Sequence, residues 1–247
     1  MPLEAPLSSI TERVAELNAR HRHHSATQVL EAALDDPQIG QTALVSSFGA
    51  EAVALLHMVS VVDRTTPVLF LDTEMLFPET LDYQREVAAK LKLDVQVLRP
   101  DRDVTFLKDP NNRMHVHIPD ACCAIRKEAP LQAALENFDA WITGRKRYQG
   151  GQRAAIEFFE ADDHDRIKIN PLAHWSPEDV RDYMINNRLP RHPLVAKGYP
   201  SLGCAPCTTR VATGESQRAG RWRGQAKTEC GIHFAGDSAQ RAEEARP

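Results

Sequence analysis

Short apolar runs alternate with helical periods through the middle of this chain, and that alternation limits the folds it can reach. Residues 42–48 (TALVSSF) end in small residues before Gly49, and a helical run starts near Glu51. Residues 67–71 (PVLFL) form a second short run that ends at Asp72. Residues 78–93 read as a helix with a proline near its start, and residues 94–98 as a strand. After a loop, residues 124–138 are helical and residues 140–144 (AWITG) are another strand. Strands separated by helices of this length imply an α/β fold: a mainly parallel sheet with helices on both faces. In such folds ligands bind outside the carboxyl ends of the strands. Three loops fall there, at 46–51, 72–78 and 144–153, and are expected to wall one pocket.

The flanks read differently. Residues 8–24 are expected to be helical, with Ile10, Val14 and Leu17 at helical spacing after the candidate caps Ser8 and Ser9. A second helix runs over 25–34. His21, His23 and His24 lie beside arginine on a polar helix end and read as a solvated face rather than a metal site. Ser176-Pro177-Glu178-Asp179 opens a last helix, with a capping serine and acids near the positive end of the dipole. From Leu189 onward the chain is rich in Pro, Gly and Arg and poor in periodic apolar residues. A metal site through Cys204 and Cys207 would order such a segment. The expected organisation is an N-terminal helical segment (1–40), an α/β domain (41–215) and a C-terminal tail (216–247).

Charge and composition narrow the partners. Thirty basic against thirty-four acidic side chains give a net charge of −4, so no global basic field invites nucleic acid. The apolar stretch around 53–62 is broken by His57 and Ser60 and is too short to span a bilayer. The start, Met1-Pro2-Leu3-Glu4, lacks a basic region followed by an apolar run, so a cytoplasmic location is expected. Five cysteines in that setting suggest metal binding or catalysis rather than structural disulfides. Monomer and homo-oligomer both remain open.

Several constellations carry chemistry. The loop Ser46-Ser47-Phe48-Gly49-Ala50-Glu51 lets backbone N–H groups approach an anion near a helix start. No Gly-Lys-Ser/Thr follows it, so it is not a Walker loop. Residues 70–80 (FLDTEMLFPET) deliver Asp72 and Thr73 from a strand end, where they could contact a ribose or base. In Gly144-Arg145-Lys146-Arg147-Tyr148-Gln149-Gly150-Gly151-Gln152-Arg153, four cations at a strand end suit an anionic ligand. Cys122-Cys123 and the Cys204-x-x-Cys207 pair offer four thiolates, suited to zinc or an iron–sulfur cluster. Adjacent cysteines turn poorly onto one small ion, whereas a cubane offers each its own iron; a redox disulfide between Cys204 and Cys207 also stays open. Finally, Lys227-Thr228-Glu229-Cys230-Gly231-Ile232-His233 sets a thiol among ionisable groups, preceded by Arg218, Arg221 and Arg223. Cations there favour the thiolate, the reactive form.

Taken together, these residues resemble the assimilatory sulfonucleotide reductases, on the adenylyl-sulfate (APS) branch. The likeness spans about 42–233 and rests on FLDT-x-x-LFPET, CC-x-x-RK at 122–127, the C-x-x-C, and ECGIH at 229–233. Members of the sister branch, which use the 3′-phosphorylated nucleotide PAPS, keep the Glu-Cys-Gly-x-His tail and typically lack the cysteine pairs. The resemblance implies a Rossmann-like adenine-nucleotide-binding (PP-loop) fold with a mobile C-terminal tail. It also implies a [4Fe-4S] cluster on Cys122, Cys123, Cys204 and Cys207, and Cys230 as nucleophile. Lys127, Arg218 and Arg221 become phosphosulfate contacts, and Arg147 and Arg153 belong to an arginine-rich loop. Ser47, Phe48, Gly49, Leu71 and Thr73 sit where the nucleotide is held, and His233 lies in the tail that closes over it. The implied reaction is thioredoxin-dependent reduction of APS to sulfite and AMP through an S-sulfocysteine on Cys230. A PAPS-using or dual enzyme, a transfer-RNA thiolation enzyme and an inactive nucleotide or cluster sensor are the rivals. The Ser-Gly-Gly-x-Asp-Ser loop of thiolation enzymes is missing. The chain departs from the family pattern at Glu74-Met75, at Gly150 and at Lys146.

Overall fold

A computed structural model describes residues 9–225 and 227–233. Among them, six strands form one sheet in the order β3-β2-β1-β4-β6-β5. These are β1 (Thr42–Ser46), β2 (Val68–Leu71), β3 (Val95–Leu98), β4 (Ala140–Ile142), β5 (Phe159–Ala161) and β6 (Ile167–Ile169). All neighbours run parallel except β5, which pairs antiparallel with β6. Strand order reverses between β1 and β4. Chains leaving those two strands therefore diverge to opposite sides and open a crevice at their carboxyl ends.

The β1 run is buried throughout, which explains its unbroken apolar character: a parallel strand covered on both faces cannot alternate with polar residues. Leu44, Val68, Phe70 and Ile142 face the larger core, covered by α1 (Ile10–His21), α2 (Ala26–Asp35), α3 (Ala52–Val62) and α4 (Pro78–Leu91). Ala43, Val45, Leu69 and Trp141 point the other way. Two short helices, α5 (Arg102–Lys108) and α6 (Met114–His117), lead to α7 (Pro119–Cys123) and then α8 (Ala129–Leu135). From α8, Leu131 and Leu135 cover that second face. The last helix, α9 (Pro177–Asn186), begins with a full capping box between Ser176 and Asp179, as its sequence predicts.

Three differences from the sequence reading stand out. The stretch expected as a loop before residue 124 holds α5, α6 and α7, pieces of four to seven residues too short to show a period. The helix expected over 124–138 is interrupted by a π-helical turn at Ala124–Glu128 before α8. The hairpin β5–β6 leaves no period-two signal in the sequence, because each strand is three residues long. Asn18 of α1 closes the open edge of β5: its side chain donates to Phe159 O at 2.8 Å and accepts from Phe159 N at 3.0 Å. That pairing satisfies backbone groups an edge strand would otherwise expose.

Candidate active site

The crevice between β1 and β4 is a cavity of ≈ 450 Å³, within the size range of small-ligand sites. The loop after β1 supplies Ser47 and Gly49, β2 and its loop supply Leu71 and Thr73, and the loop after β4 supplies Lys146 and Arg153. All three expected walls are there. Phe48 is not part of the lining. It takes a left-handed φ of 47° and packs its ring edge-on into Phe70, centroids 5.2 Å apart. A bulky residue in that region is strained, and the core contact holds it there. Arg147 also points away, donating to Ile156 O and to the Glu157 carboxylate.

Lys146, by contrast, turns inward. Its ammonium reaches Glu51 Oε2 at 3.0 Å and Gly144 O at 3.1 Å, and Tyr148 Oη donates to the same Glu51 oxygen at 2.7 Å. Burial pulls the Lys146 pKa down, partly offset by Glu51. Glu51, the last residue of the β1 loop, thus ties that loop to the one after β4.

The tail folds over the far side of the crevice. Thr208 and Arg221 form an antiparallel bridge, Thr209 N donates to Gly220 O, and Trp222 N donates to Cys207 O. Gly220 permits this approach, since a β-carbon there would fall 2.1 Å from Thr209 O. Trp222 is buried with Arg221 over its ring at 4.4 Å and Lys227 at 5.7 Å. The Cys204–Cys207 turn is stitched to the loop after β2 by Ala205 N donating to Met75 O and by a Leu76–Cys204 bridge. Thr73 Oγ1 lies 3.2 Å from Cys204 Sγ.

Lys127, Cys204, Arg218, Arg221 and Cys230 line one region of the cavity. The π-helical turn carries Lys127; such turns re-aim side chains and recur at functional sites. The same turn packs against the short helical turn Gly231–His233 behind Cys230. Arg221 donates to Leu202 O at 2.8 Å, while its buried Nε has no hydrogen-bond partner among the described residues. A buried cation with a spare donor suits an anion.

The thiols form a connected group. The Cys230 pKa is held well below the ordinary thiol value, first by a hydrogen bond from Cys123, then by Lys127 and Arg221, against the effect of burial. Cys123 is raised in turn, first by that bond and then by burial. Burial resists the charge on Lys127, but the sulfurs of Cys230, Cys204 and Cys123 outweigh it and raise its pKa. Burial pushes the Cys122 thiol up to about 11, with Cys204 and Cys207 adding to the rise against Arg126. Cys207 is also raised, by burial and by Cys204. Cys122 therefore lies within electrostatic reach of Cys204 and Cys207. Among the described residues no three His, Cys, Asp or Glu side chains converge as ligands of a metal ion. The His233 side chain lies outside the described part of the structure, as do residues 234–247.

Three features of this site were given no role by the sequence, although Arg126 and Glu229 fall within quoted motifs. Glu229 is clamped by Arg153, Trp222 organises the tail, and Arg126 is buried in an ion pair with Asp109 at 3.1 Å. Only the basic-aromatic run Arg221-Trp222-Arg223 hinted at the second.

An open, mostly parallel α/β sheet with its ligand crevice at the strand-order reversal defines a Rossmann-like nucleotide-binding fold, here fitted with a thiol-bearing tail. The chain belongs to the phosphoadenosine phosphosulfate reductase domain family, whose model matches residues 41–210. It is 47% identical to the adenosine 5'-phosphosulfate reductase of Chelativorans sp. (strain BNC1), covering 95% of this chain and 94% of that one. It is 46% identical to the enzyme of the same name from Mesorhizobium japonicum, covering 92% and 89%. Among solved structures it is similar to the phosphoadenylyl-sulfate (PAPS) reductase of Candida auris in a phosphate complex. That match has a TM-score of 0.70 and 26% identity, over 83% of this chain and 100% of the other.

Proposed function

We propose that this protein reduces adenylyl sulfate to sulfite and AMP in assimilatory sulfate reduction, with Cys230 as the nucleophile. The observation that carries the reading is the place of the Cys230 thiol: it lines the crevice together with Lys127, Arg218 and Arg221. The names of the 47% and 46% identical relatives supply the substrate.

Thiolate attack at the sulfur of APS brings anion to anion. Lys127, Arg218 and Arg221 offset that repulsion and stabilise the departing charge. The Cys230 sulfur bonds to the sulfonyl sulfur, the sulfur–oxygen bond to AMP breaks, and AMP leaves with the electron pair. Cys230 then carries an S-sulfo group. A thiolate of a thioredoxin-type dithiol attacks the Cys230 sulfur and expels sulfite. Its second thiol resolves the mixed disulfide and returns Cys230 as thiol. The dithiol supplies both electrons. Ser47, Gly49, Leu71 and Thr73 line the part of the crevice suited to the nucleotide.

Cys122, Cys123, Cys204 and Cys207 would hold a [4Fe-4S] cluster. Adjacent cysteines turn poorly onto one small ion, whereas a cubane offers each its own iron, and Cys122 feels both Cys204 and Cys207. When bound, the cluster supplies a fixed charge near the substrate and anchors the segment that bears the tail. With Cys123 engaged as a ligand, Lys127 and Arg221 remain to hold Cys230 as thiolate. A cytoplasmic setting suits five unpaired thiols.

The test is single turnover of reduced, anaerobically purified protein with sulfur-labelled APS. Label is expected on the peptide holding Cys230, released as sulfite on adding thioredoxin. Wild-type turnover by Cys230→Ser would sink the assignment. A second reading, PAPS as substrate, draws on the family description and on the Candida auris structure. Parallel steady-state assays with APS and PAPS separate the two.

A further inference from the structure

Glu229 has no part in the chemistry above, yet it is buried next to the nucleophile. Its Oε2 accepts from Arg153 Nε at 2.5 Å and its Oε1 from Arg153 Nη2 at 2.8 Å, a two-point fork. Arg153 Nη1 donates to Gln149, so every nitrogen of that guanidinium is engaged. Arg218 Nη2 approaches Oε1 at 3.4 Å and also donates to Thr228 O at 3.2 Å. The backbone N–H of Cys230 donates to Glu229 Oε1 at 2.9 Å. One carboxylate thus joins the loop after β4, an arginine of the tail and the peptide of Cys230.

We infer that Glu229 is a positioning residue: clamped by the Arg153 fork, it latches the tail shut and fixes where the Cys230 sulfur sits over the cavity. This rests on the reading of Cys230 as the reacting thiol. Arginine–carboxylate forks fix angle as well as distance. The bond from the Cys230 N–H to the same carboxylate passes that orientation to the next residue. The latch can also release. Both partners of the fork are groups that water solvates well, so opening this contact exchanges the fork for hydration of both ions. A thiol that must react inside the cavity and then meet an outside reductant needs such a contact. Arg153 accordingly serves the tail, Lys127 and Arg221 serve the substrate, and Arg218 touches both the cavity and the latch.

The experiment measures how fast iodoacetamide modifies Cys230 in the ligand-free full chain, read on its own peptide by mass spectrometry. Steady-state kcat and KM for APS are taken on the same preparations. Glu229→Gln keeps the shape and removes the charge; Arg153→Lys keeps both charges and removes the fork. Faster modification in Arg153→Lys cannot be put down to loss of the carboxylate charge beside the thiol. Both variants are expected to raise the modification rate about tenfold and to lower kcat about tenfold, with KM changed less than about twofold. A lowered melting temperature with wild-type modification rate and kcat is a structural role only and overturns the proposal. If Glu229→Gln does not fold, Arg153→Lys decides alone. A protein that never turns over APS defeats the functional reading, while the modification rates still report on the latch.

Discussion

The Arg221 guanidinium lies across the backbone of Gly203, in the space a side chain there would fill: a β-carbon on Gly203 would sit 2.3 Å from Arg221 Nη2 and 2.6 Å from Cζ. The glycine before Cys204 is therefore what lets Arg221 reach from the tail to the cavity wall. The arginine is pinned there by Leu202 O and by the Trp222 ring.

Gly203→Ala is expected to push Arg221 off this seat. Overpacking of this kind costs about 1–3 kcal/mol, and the displaced cation no longer faces the substrate anion. The kcat/KM for APS should fall by about tenfold or more, with the protein still folded by circular dichroism. Unchanged kcat/KM would mean that Arg221 works from some other position.

Trp222→Ala removes a buried indole that has two cations over its ring. Truncations of this size cost about 3–5 kcal/mol in a core, and here the loss is expected to fall on the tail. Limited proteolysis should cut between residues 210 and 230 faster, while the sheet unfolds at nearly the wild-type denaturant concentration. If the global midpoint falls with no change in the tail's cleavage, Trp222 belongs to the core rather than to the tail.

Arg126 and Asp109 are each almost fully buried, and Arg126 also donates to Asn112 and to Thr73 O. Removing one partner strands the other. Arg126→Met is expected to destabilise by about 3–5 kcal/mol, and the double variant Arg126→Met/Asp109→Leu to recover much of that loss. Urea unfolding of the two variants and the wild type makes the comparison. A single variant as stable as the wild type would contradict it.

His192 should make the fold sensitive to mild acid. Its Nδ1 accepts from Leu194 N at 3.2 Å and its Nε2 lies 3.1 Å from Thr80 Oγ1, so the buried ring is neutral with its proton on Nε2. Burial lowers its pKa from 6.5 to about 4. Above pH 6.5 the ring is neutral whether folded or unfolded, and it adds no pH dependence. As pH falls below 6.5 the unfolded chain binds a proton that the folded chain refuses, so stability drops until about pH 4. The full drop is roughly 3 kcal/mol. The urea midpoint should decline from pH 7 to pH 4.5, and His192→Gln should flatten that decline. An equally steep decline in the variant would assign the effect to other groups.

The alternation of apolar runs and helical periods was enough to read the parallel sheet, because strands buried on both faces leave a hydrophobic signature that helices between them punctuate. Most strands and helices lie within a few residues of their expected bounds. What escaped was short: α5 to α7 and the β5–β6 hairpin hold too few residues for a period, and the turn at Ala124–Glu128 is ordinary helical sequence. The walls of the site were legible because they follow from strand ends. The assignments within the walls were less so. Phe48 and Arg147 turn away from the cavity, whereas Lys146 turns in.

The sequence by itself determined the residue types available: one thiol among cations on a polar tail, two cysteine pairs, and a basic loop at a strand end. Tertiary structure decided which of them meet. Order reversal between β1 and β4 opens the crevice, the π-helical turn aims Lys127, and Gly203 and Gly220 let the tail lie close. Cys230 stands 107 positions after Cys123 in the chain, yet the two thiols lie close enough to couple. The Arg153–Glu229 clamp spans 76 positions. Such contacts depend on where backbones return in space, and local sequence carries no record of that.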